Sequence, residues 1–181
     1  MKFDLYIESI LTELFSSTMK RDVEWKRDDS FANQPKYTTT FQASNKREYL
    51  VELQNITWHG SAHEENYPEN LQKILANKKT KIYEVVFKDV KFSNSNSTRS
   101  IKKAIGITGK GGAIDVFSNV VDILRDFLKN VQPDTRILYF VAFEPSRAKL
   151  YDRMVKVLAP EYGFKIFTDS DEEAHYYACY R

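Results

Sequence analysis

The run from Arg136 to Phe143, Arg-Ile-Leu-Tyr-Phe-Val-Ala-Phe, is apolar at nearly every position after its first residue. A strand with one wet face alternates, whereas a run without alternation marks a strand covered on both faces. Such a strand needs sheet neighbours and packed layers above and below it, which directs the chain towards a layered α/β architecture. The 181 residues suit a single domain and are enough to bury a substantial core.

The flanking segments can supply those layers. From Ala113 to Val131, the residues Ala113, Val116, Phe117, Val120, Val121, Leu124, Phe127, Leu128 and Val131 form one helical stripe. Asp115, Asp122, Arg125, Asp126 and Lys129 form its wet side, and Pro133 follows as a stop. After the apolar run, Glu144-Pro145-Ser146 opens a second helix, with proline near the first helical position. The stripe Ala148, Tyr151, Val155, Leu158 predicts that it runs to about Leu158, where Pro160 and Gly163 close it. Lys165 to Thr168 and Ala174 to Tyr180 then read as a final hairpin around the acidic turn Asp169 to Glu173.

Upstream, Phe3 to Phe15 has helical spacing, and Asp22 to Asn33 is polar around Trp25 and Phe31, which fits an edge strand. Tyr37 to Gln42 and Tyr49 to Trp58 predict an antiparallel hairpin turning at Ala43 to Lys46. His59 to Lys81 is a polar excursion with a short helix around Asn70 to Ala76. Lys81 to Phe92 and Ile101 to Thr108 predict a second hairpin about a Ser/Asn turn. The expected fold class is α/β (α+β), a mixed and largely antiparallel sheet with helices on both faces, in one domain over 1–181.

Several function classes are disfavoured. A net charge of +2 sets up no strong field towards nucleic acid or an anionic membrane. Cys179 is the single cysteine, so no intrachain disulfide forms. The opening Met-Lys-Phe-Asp-Leu-Tyr-Ile-Glu carries acidic residues inside its apolar run, unlike a signal peptide. No stretch approaches the roughly 20 apolar residues of a membrane span. A cytoplasmic location is the expectation. His59 and His63 have a metal-ligand spacing, but Gly60-Ser61 between them argues against a helix, and a solvated loop with no metal is preferred. Cys179 reads as a buried structural cysteine sharing a strand face with His175.

The segment that carries chemistry is a strand, then Gly109-Lys110-Gly111-Gly112, then the long helix. Glycines let a backbone approach a ligand closely, and a helix start offers free N–H groups to phosphates. A tight strand-to-helix turn is the alternative use of the same glycines. A Walker loop needs a longer spacing and a Ser/Thr, and a dinucleotide fingerprint needs a parallel unit, so neither pattern fits.

Together with Leu150-Tyr151 in the next helix and Gly163-Phe164 before the last hairpin, this order resembles the GNAT superfamily of N-acetyltransferases from about Tyr83 to Arg181. The stretch from Glu144 to Arg153 resembles small GNAT-like proteins encoded by tailed bacteriophages. The resemblance implies an acyl-CoA-binding half at 81–181 beside a divergent half at 1–80. It implies that Ile107, Thr108, Gly109, Lys110, Gly111, Gly112 and Ala113 hold the CoA diphosphate and that acetyl-CoA donates its acyl group to an amine. Tyr151 falls where the family often places a general acid, although its stripe also suits a core tyrosine. The Gln/Arg of the family's loop falls here on Gly106, so Arg147 or Lys110 would replace that phosphate contact, unless both are surface charges. Arg147, Lys149, Arg153 and Lys156 together read as a solvated helix face. Glu84 and Glu52 are candidate bases. A non-catalytic phage protein that binds a phage or host partner, in the host cytoplasm or in the virion, is the second expectation.

Overall fold

The computed structural model describes residues 22–30, 34–56, 69–75, 81–92, 113–143, 145–172 and 174–181. Within them one sheet is built from β1 (Lys26–Asp28), β2 (Lys36–Gln42), β3 (Glu48–Asn55), β4 (Ile82–Asp89), β5 (Ile137–Ala142), β6 (Lys165–Ser170) and β7 (His175–Tyr180). Their spatial order is β1-β2-β3-β4-β5-β7-β6. All neighbours are antiparallel except β4 and β5, which are parallel. The helices are α1 (Glu69–Leu75), α2 (Ala113–Asp126) and α3 (Pro145–Tyr162). The architecture is mixed α+β, and both halves of the sequence contribute strands to the one sheet.

One face of the sheet meets α2 and α3. Tyr49, Val51 and Leu53 of β3, Tyr83, Val85 and Phe87 of β4, and Leu138, Phe140 and Ala142 of β5 pack there against the α2 stripe from Val116 to Leu124 and against Ala148, Tyr151, Met154, Val155 and Leu158 of α3. Each large apolar side chain so buried stabilises the fold by about 1.5–3 kcal/mol. The opposite face buries Ile82, Ile137, Tyr139, Tyr176 and Ala178, with Ile74 of α1 against them. β5 is thus covered on both sides, as its unbroken apolar run requires. Among the described residues no helix is long and apolar enough to cross a membrane.

The end of α2 widens into a π-type turn over Phe127–Val131, closed by the Gln132 N–H donating to the Phe127 carbonyl at 2.8 Å. Phe127 then reaches Trp25, Tyr37 and Tyr83 at ring separations of 5.3, 5.4 and 4.9 Å. Trp25 also donates Nε1–H to Asp126 Oδ2 at 2.7 Å, tying the segment before β1 to α2.

Two expectations need correction. α3 does not stop near Leu158 but continues to Tyr162, with Pro160 inside its last turn. A proline removes one hydrogen bond there, and the end is held by other contacts. Arg125 Nε donates to Glu161 Oε2 at 2.9 Å, and Phe164 N donates to the Ala159 carbonyl at 2.8 Å around Gly163, whose φ is 66°. The strand predicted to reach Phe92 ends at Asp89, where Val90–Phe92 form a 3₁₀ turn and the Asp89 side chain accepts from the Lys91 N–H at 3.0 Å. The predicted helix Phe3 to Phe15 and the predicted strand Ile101 to Thr108 lie outside the described residues.

Candidate functional site

β4 and β5 run side by side over three register positions only, Ile82 with Ile137, Tyr83 with Leu138 and Glu84 with Tyr139. Beyond Glu84, β4 stays paired to β3 as far as Asp89 opposite Tyr49. Beyond Tyr139, β5 stays paired to β7 as far as Ala142 opposite His175. Each strand follows its outer neighbour, and their shared ladder ends. In open parallel sheets ligands bind outside the carboxyl ends of the strands, and β4 with β5 is the one parallel pair among the described strands.

Two helix starts lie at that end of the sheet. α3 begins at Pro145, directly after β5. In the first turn of α2, Asp115 Oδ2 accepts from the Ser44 N–H at 2.6 Å. Ser44 is in the β2–β3 turn, and the antiparallel register of β3 with β4 puts that turn at the C-terminal end of β4. The positive ends of both helix dipoles therefore sit near where β4 and β5 finish.

Arg147 and Tyr151 stand one turn apart on α3, on the same side of the helix. Arg147 is 3% exposed, and its Cζ lies 4.9 Å from the centre of the Phe87 ring of β4. Its Nε and Nη2 are buried and have no hydrogen-bond acceptor among the described residues. Tyr151 is enclosed by Phe87, Phe117, Phe140 and Tyr177 at ring separations of 5.8, 6.1, 5.5 and 6.0 Å. Burial pushes the Tyr151 phenol above its ordinary pKa, and the neighbouring Arg147 guanidinium pulls the other way. Burial also raises the Tyr177 phenol, which donates to the Ala148 carbonyl at 2.8 Å and so fixes β7 to α3.

Of the residues singled out by sequence, Ala113 is the first residue of α2, and 107–112 lie outside the described residues. Glu84 stands at the last shared pair of β4 and β5. Glu52 Oε1 instead pairs with Lys88 Nζ at 2.9 Å. Cys179 is buried on β7, and burial pushes its thiol up to about 12. His59 and His63 lie outside the described residues. Among the described residues no group of three or more His, Cys, Asp and Glu could hold a metal.

Arg147 corrects the expectation of a solvated basic face on α3. Lys149 and Lys156 are exposed, and Lys156 pairs with Asp152 at 2.8 Å, whereas Arg147 is turned into the core. Its spacing of four from Tyr151 was the signal for this, because Arg147, Tyr151, Met154 and Leu158 follow a helical stripe. Phe87 and Tyr177 were also missed as parts of the site, since only the register of β4 and β7 brings them to α3.

A cavity of about 360 Å³ adjoins this region, lined by Asp152, Thr168, Asp169, Ser170, His175 and Tyr177. No family model matches the chain, and no curated protein or solved structure matches it either.

Proposed function

We propose that the chain is an acyl-CoA-dependent N-acyltransferase of GNAT type, transferring an acetyl group from acetyl-CoA to an amine in the cytoplasm. The observation that carries this reading is the short shared register of β4 and β5, which ends at Glu84 and Tyr139 while both strands run on towards the starts of α2 and α3. From β4 onward the order of helix, buried strand, helix, Gly163-Phe164 and closing hairpin supports the same reading. The residues present fit an anionic cofactor, because the buried Arg147 guanidinium has two donors without an acceptor among the described residues.

Acyl-CoA supplies an acyl group already activated as a thioester. The chain's own contribution is then mainly positioning. In this reading the segment 107–113, which ends at the first residue of α2, would hold the diphosphate. Tyr151, with its pKa raised by burial, keeps its proton at neutral pH and holds it on Oη for the departing sulfur. Arg147 steadies the phenolate that remains. Glu84, at the apex of the opening, takes the proton from the amine.

Full burial of Tyr151 favours a second reading, a non-catalytic GNAT-like phage protein that binds a phage or host partner, because a proton donor must touch its acceptor. A thiol-release assay with acetyl-CoA and a panel of primary amines separates the two. Acetyl transfer that slows in Tyr151→Phe supports the enzyme. Acetyl-CoA binding with no thiol release from any amine supports the second reading.

A further inference from the structure

The guanidinium of Arg147 is satisfied on its face and not on its edge. The Phe87 ring lies against the face at 4.9 Å. The Nε and Nη2 atoms are both buried and, among the described residues, without an acceptor. These two N–H groups lie on one edge of the planar guanidinium and point the same way, forming the fork that carboxylates and phosphates accept in pairs. Three acidic groups on the neighbouring elements pair with other cations: Asp89 with Arg47, Glu52 with Lys88 and Asp152 with Lys156. A buried cation with an unmet edge is costly to a fold, and an incoming anion removes that cost.

We propose that the Nε/Nη2 edge of Arg147 is a bidentate oxyanion site, filled by a carboxylate or phosphate of a ligand that enters at the C-terminal ends of β4 and β5. The site stands on burial and donor geometry alone and does not depend on acyl transfer. A phosphate source is a nucleotide-type cofactor, and a carboxylate source is an acidic co-substrate.

The test is calorimetry and thermal melting of the full chain with inorganic pyrophosphate and, separately, with succinate. Wild type is compared with Arg147→Met and Arg147→Lys. Binding of pyrophosphate assigns the edge to a phosphate, and binding of succinate assigns it to a carboxylate. In either case Arg147→Met weakens binding by about 30-fold or more. Arg147→Lys keeps the charge without the fork and falls between the two. Without an added anion, Arg147→Met melts above wild type, because a buried charge has been removed. The proposal is overturned if neither anion binds wild type, or if wild type and Arg147→Lys bind both anions equally well.

Discussion

Glu84 and Tyr139 face each other as the last matched pair of β4 and β5. Past them each strand keeps its outer partner, β3 for β4 and β7 for β5. The sheet is therefore continuous through two residue-rich ladders and briefly joined in the middle. Beyond that joint, Arg147 and Tyr151 of α3 pack on Phe87 of β4.

Tyr151→Phe separates chemistry from packing. The ring contacts with Phe87, Phe117, Phe140 and Tyr177 survive the change, so the melting temperature should move little. If the hydroxyl is the proton donor, kcat for thiol release falls about 100-fold. Tyr151→Ala removes the ring itself and should destabilise by about 3–5 kcal/mol in urea unfolding.

Gly163 ends α3 with φ at 66°, and a Cβ there would meet nothing within 4 Å. The penalty for a side chain is then backbone strain alone. Gly163→Ala should cost about 1–2 kcal/mol. Gly163→Asn should cost less, because asparagine tolerates the left-handed region. Equal losses for the two variants in chemical denaturation would contradict this assignment.

Burial pushes the Cys179 thiol from 9.0 to about 12 and the Tyr83 phenol from 10.0 to about 12. Both folded values are raised, so their contribution to stability is complete below pH 9.0 and is lost as the pH climbs from there towards 12. Each released proton gives a slope of about 1.4 kcal/mol per pH unit. Cys179→Ala should flatten the fall in stability between about pH 9 and 10, measured by urea unfolding. In native wild type the thiol should resist labelling at pH 8.

The helices and the strand β5 were legible because each carries its own pattern: the α2 stripe, the unbroken apolar run, and the acidic turn before β7. Their ends were less legible. Pro160 reads as a stop, yet Arg125 with Glu161 and the turn at Gly163 hold one more turn of helix around it. The parallel pairing of β4 with β5 leaves no local mark, since pairing is decided by which strands α2 and the outer ladders bring together. Arg147 was legible as a phosphate contact, and its spacing of four from Tyr151 marked the buried stripe, although a charge on a helix is read first as solvated. Only the packing of α3 on Phe87 turns it inward.

The most direct measurement is the affinity of acetyl-CoA for the full chain by calorimetry, run beside Gly111→Trp. A cofactor opening at the end of β4 and β5 predicts saturable binding that is lost in Gly111→Trp. It also predicts a rise in melting temperature corresponding to about 2.7 kcal/mol at 100 times the dissociation constant. No binding at millimolar acetyl-CoA, or equal binding by wild type and Gly111→Trp, would contradict it.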